Sequence, residues 1–63
     1  MELYDVESTD DIILKWLMSV YNAYRQAHDR LQPGNPIIAY NAIRLRYYKE
    51  MVEIRQEELQ GSG

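Results

Sequence analysis

The sequence predicts an all-α protein, an antiparallel two-helix hairpin (αα-hairpin). Three observations carry that prediction. Two runs with the apolar spacing of amphipathic helices, 8–31 and 36–60, fill most of the 63 residues. Between them stands the only internal punctuation, Gln32-Pro33-Gly34-Asn35 followed by Pro36. Stop and start signals that fall within about five residues force the two helices to lie antiparallel.

Residues 1–7 are acidic, with Leu3, Tyr4 and Val6 interspersed. The first helix is expected over 9–31. Ser8 or Thr9 supplies a capping hydroxyl, and Asp10 and Asp11 then fall in the first turn, where the helix dipole favours carboxylates. Ile13, Leu17, Val20, Tyr24, Ala27 and Leu31 follow at alternating spacings of four and three, the pattern of a heptad seam. Leu3, Val6 and Asp10 carry the same register backwards, so the cap rather than the apolar pattern sets the expected start. The turn is expected over 32–35. Pro33 presets φ at its first corner and Gly34 supplies the positive φ of a type II second corner. Asn35 then caps a second helix, expected over 36–59, with Pro36 at its first position, where no N–H is needed. Residues 1–60 thus read as a single helical-hairpin domain, and Gly61-Ser62-Gly63 reads as a linker or tag remnant. That ending fits an engineered or de novo designed protein, although Ser19, Asn22, Ala39 and Asn41 are not idealised helix fillers. A natural helical protein, with or without remodelled surface positions, fits them equally.

Both helices carry more apolar surface than one neighbour covers. On the first, the apolar set from Ile12 to His28 sweeps roughly 240° at 100° per residue, against the ~100° stripe of an ordinary surface helix. The second has two stripes: Tyr40, Ile43, Tyr47, Met51 and Ile54, and then Ile38, Leu45, Tyr48, Val52 and Leu59, with Arg44 and Arg55 between them. Two stripes imply two neighbours, the first helix and something outside the hairpin. Small domains generally need an added staple. With no cysteine and a single histidine, neither disulfides nor a zinc site supplies it, and the expectation is no metal and no cofactor. The remaining support is a four-helix bundle completed by homodimerisation, or docking on a protein partner.

Composition narrows the function classes. Ten acids against seven bases give a net charge of −3, which weighs against non-specific nucleic-acid binding and against anionic membranes. The N-terminus lacks a basic signal-peptide region, and the apolar stretch at 12–18, broken by Lys15, is too short to span a bilayer; a cytoplasmic location is expected. No catalytic residue is assigned and the chain is not expected to be an enzyme. His28 has no nucleophile and no metal-ligand spacing around it, Glu50, Glu53, Glu57 and Glu58 form a solvated face, and there is no glycine-rich phosphate loop. A hairpin this small is also expected to leave no room for a pocket of a few hundred Å³.

Six Tyr and one Trp with no Phe is the most distinctive feature. A buried Tyr must satisfy its hydroxyl, whereas Tyr, Trp, Met and Arg are enriched where proteins meet. The sequence therefore points to a non-enzymatic protein–protein interaction module. Its surface is assigned to Trp16, Leu17, Met18, Tyr21, Tyr24, Tyr47, Tyr48 and Met51, with Trp16 and Tyr47 as anchors. The alternative is a small nucleic-acid regulator, a hairpin dimer contacting RNA through Arg25, Arg44, Arg46 and Lys49 gathered mid-hairpin with Tyr47 and Tyr48 interleaved.

Overall fold

In the computed structural model, which describes residues 2–61, Asp11 caps the first helix. Helix α1 runs Ile12–Arg30, starting three residues later than the expected 9. The nearby hydroxyls are committed elsewhere. Ser8 donates to the Asp5 carbonyl at 2.6 Å and closes a single 3-10 turn, Val6–Ser8, while Thr9 is extended and accepts from the Asp11 N–H. Asp11 takes over because it serves two donors at once. Its carboxylate accepts from the Leu14 N–H at 2.8 Å and receives a two-pronged bond from Arg55, Nε to Oδ2 at 3.0 Å and Nη2 to Oδ1 at 2.9 Å. One side chain thereby caps α1 and ties it to the far end of the second helix.

Helix α2 runs Ile37–Gly61. The connection is set by local chemistry: Gly34 sits at φ 89°, the Asn35 N–H donates to the Gln32 carbonyl at 3.1 Å, and the Asn35 side chain accepts from the Ile37 N–H at 2.9 Å. α1 stops at Arg30 rather than 31, because Leu31 turns extended while its N–H still bonds the His28 carbonyl. Gly61 closes α2, past the expected 59 and inside the stretch read as a linker; the rest of that stretch, 62–63, lies outside the described residues.

The residues before α1 do not continue its register backwards. They form a strap, residues 2–11, that is interrupted by the Val6–Ser8 turn and folded back along the hairpin. The Asn22 side-chain amide pairs with both main-chain groups of Tyr4: the Tyr4 N–H donates to Oδ1 and Nδ2 donates to the Tyr4 carbonyl, each at 2.9 Å. The Tyr4 ring meets Tyr21 edge-on with centroids 4.9 Å apart, and Tyr4 and Val6 pack on the core. Asn22→Ala removes both bonds, worth about 1–3 kcal/mol together. It is expected to release the strap, seen as faster hydrogen exchange of the Tyr4 amide with α-helicity retained.

The core lies between the helices and under the strap. Leu14, Leu17 and Met18 of α1 meet the fully buried Val52 of α2, with Leu45 and Asn41 buried nearer the turn. The seam is therefore rotated from the expected one. Leu14 and Met18 point inward, whereas Ile13 is half exposed and Ala27 exposed. The physical reason is that the strap needs an apolar bed. Tyr4 and Val6 occupy the flank of α1 around Met18 and Tyr21, and the Arg55 bond to Asp11 holds that rotation.

The Asp11–Arg55 tie carries a pH signature. The hydrogen bond from Arg55, and then that from the Leu14 N–H, hold the Asp11 carboxyl below its ordinary value of 3.8. A carboxylate that is more acidic folded than unfolded contributes its stability above the unfolded value and loses it as pH falls through the folded one. Melting temperature is expected to fall on acidification below about pH 4. In Asp11→Asn, thermal melts followed by circular dichroism are expected to start lower at neutral pH and to lose part of that acid dependence.

Candidate protein interface

With the strap on one side of the hairpin, the opposite side is left uncovered. On α1, Leu14, Leu17 and Tyr21 define the inward direction, and Ile12, Ile13, Trp16, Val20, Ala23 and Ala27 project well away from it at 100° per residue. On α2, Leu45 and Val52 point inward, and Tyr40, Ile43, Tyr47 and Ile54 project outward. The two uncovered stripes flank the helix–helix seam and form one long apolar face. The stripe of α2 packed on α1 is the one containing Leu45, Tyr48 and Val52, which leaves Tyr40, Ile43, Tyr47 and Ile54 at least half exposed. Exposure along the face is high for such large groups: 58% for Trp16, 67% for Ile43 and 50% for Tyr47.

An aromatic ladder runs across the middle of this face. Trp16 meets Tyr48 edge-on at 6.3 Å, Tyr48 stacks on Tyr24 at 5.7 Å, and Tyr47 meets Tyr48 edge-on at 5.1 Å. Half-buried Tyr48 is the hub that touches the other three rings. Toward the turn, Arg44 donates from Nε to the Tyr40 hydroxyl at 3.0 Å, with its guanidinium 5.2 Å from the Tyr40 ring centroid. This contact holds Arg44 within the face, between Tyr40 and the Tyr24–Tyr48 pair.

The expected interface residues separate into two groups. Trp16, Tyr24 and Tyr47 lie on the open face, with Tyr48 and Met51 half-buried beneath it against the core. Leu17 and Met18, at 5% and 3% exposure, belong to the core, and Tyr21 lies against Tyr4 of the strap, so these three leave the interface assignment. Ile12, Ile13, Tyr40, Ile43 and Ile54 join it. Their signal was present in the first stripe of the second helix and in the width of the arc on the first.

The four cations of the alternative reading do not form one track. Arg25 pairs with Asp29 at 3.7 Å, and Arg44 is engaged with Tyr40. Lys49 lies about 140° around α2 from Arg44, beside the strap, where it lines a hollow with Glu2, Leu3, Tyr4 and Tyr21. Arg46 is exposed between them.

That hollow, of about 490 Å³, and a groove of about 250 Å³ lined by Ala23, Tyr24, Ala27 and Asn41 correct the expectation that so small a hairpin has no such space. The strap supplies a wall of the first, whereas the groove is lined by the two helices alone. Both are open, and neither gathers a pair of carboxylates: Glu2 is the only acid lining either one. His28 is half buried, and its Nδ1 has no hydrogen-bond partner. Among the described residues no group of three or more His, Cys, Asp or Glu is placed to hold a metal ion, and no helix is long and apolar enough to cross a membrane.

The fold and face define a helical hairpin that is closed by its own N-terminal strap on one side and open through an aromatic-aliphatic face on the other. No family model, curated protein or solved structure matches the chain.

Proposed function

We propose that the chain is a non-enzymatic protein–protein interaction module that docks through this face, either on a copy of itself or on another protein. The observation that carries the reading is the continuity of the face across both helices. Scattered apolar residues are ordinary on a protein surface, but a contiguous patch of this size marks a contact surface. The composition of the face, Trp and Tyr anchors set among Ile and Met with Arg44 bonded to Tyr40, is that of interface centres.

Trp16 is the chain's only tryptophan and serves as its own reporter. Docking of an apolar protein surface is expected to shift the indole emission to the blue, and the shift should persist from about 0.05 to about 1 M salt. Titration with a mixed-sequence single-stranded RNA is expected to leave the emission unchanged at physiological salt. Quenching by RNA that falls steeply with salt would favour the nucleic-acid reading instead.

A further inference from the structure

Resting on that reading, we infer that the occupant of the open face is a second copy of this chain, docked with α2 antiparallel to the partner's α2 about a two-fold axis at Tyr47. Three observations carry it. A two-fold interface is self-complementary, so residue i meets j while j meets i. An antiparallel helix pair then requires a contact stripe that reads the same in both directions. The stripe Tyr40, Ile43, Tyr47, Met51 and Ile54 has spacings of three, four, four and three, a palindrome centred on Tyr47. Tyr40 of one copy then falls opposite Ile54 of the partner subunit.

Charge sets the same orientation. Beside the stripe on α2, Arg44 and Arg46 precede Tyr47, and Glu50, Glu57 and Glu58 follow it, while Arg55 is bonded to Asp11 and Lys49 is turned toward the strap. The sign changes between residues 46 and 50, around Tyr47. Antiparallel pairing lays each positive half along a negative half; parallel pairing lays like on like and is disfavoured. The charge lodged within the face, Arg44, bonded to Tyr40 and near Tyr24 and Tyr48, falls opposite Glu50 of the partner subunit in this register.

Area is the third. A half-exposed aromatic leaves on the order of 100 Å² open. The large apolar side chains of this face together reach roughly the 800 Å² per partner of a standard interface. Closing it gives a four-helix bundle with both straps on the outside.

The absence of cysteine from the chain makes a site-directed disulfide test clean. Tyr40 and Ile54 are half exposed, so Tyr40→Cys and Ile54→Cys leave the core intact. Under mild oxidation, an equimolar mixture of the two variants is expected to form the disulfide-linked mixed dimer at least about tenfold faster than either variant alone forms its own dimer. Adding Tyr47→Lys to both chains is expected to abolish that advantage, with circular dichroism confirming retained helix. Faster linkage of either variant with itself, or equal rates in all three samples, would overturn the antiparallel pairing. A chain that sediments as a folded monomer would overturn the second copy as occupant. It would leave the wider docking reading standing, with a different protein on the face.

Discussion

Leu17→Ala is expected to remove about 2–5 kcal/mol of folding stability, the range for truncating a buried leucine. A domain of this length has only about 3–9 kcal/mol in total, so the variant should be largely unfolded near body temperature. The magnitude follows from where Leu17 sits. At 5% exposure it packs with Leu14, Met18 and Val52 in a core of few side chains, and truncation leaves a cavity that the strap and one neighbouring helix can only partly fill. Urea unfolding followed by circular dichroism at fixed chain concentration measures the loss. A midpoint within a few tenths molar of the native chain would show that Leu17 lies outside the cooperative core.

Trp16→Ala, one residue earlier, is expected to act in the opposite way. Trp16 is 58% exposed and touches the fold mainly through the edge of Tyr48 at 6.3 Å, so the isolated hairpin should keep its helicity. Association is expected to weaken by about 2–4 kcal/mol, the scale of an aromatic hot spot, or roughly 30- to 1,000-fold in dissociation constant. Adjacent residues thus separate the two layers of the account: losing Leu17 unfolds the hairpin, and losing Trp16 opens the assembly. An unchanged dissociation constant in Trp16→Ala would remove Trp16 from the interface.

The same pair of residues shows what the sequence made legible. The hairpin was readable because its determinants are local: Pro33, Gly34, Asn35 and Pro36 act on their own φ angles and on the N–H groups beside them. The rotation of α1 was not readable. Its apolar arc is so wide that several seams satisfy the helical period, and the one observed depends on groups distant in sequence. Asp11 prevails over Ser8 and Thr9 as cap because Arg55, forty-four positions away, bonds it. Met18 is core because residues 4 and 6 fold back over it, held by Asn22, which reads on a helical wheel as part of the polar remainder. On α2 the two stripes were legible as stripes, and one of them is exposed along the hairpin. Which stripe faces α1 was fixed only by packing, and that choice decides that Tyr47 rather than Val52 is presented outward.

The proposed docking requires that association of this chain run through the face containing Trp16 and Tyr47. Sedimentation equilibrium over about a hundredfold concentration range, on the native chain and on Tyr47→Lys, measures this, with helicity followed in parallel. The native chain is expected to be a dimer that dissociates on dilution, and Tyr47→Lys a helical monomer at every concentration. Identical masses for the two chains across the range would contradict it.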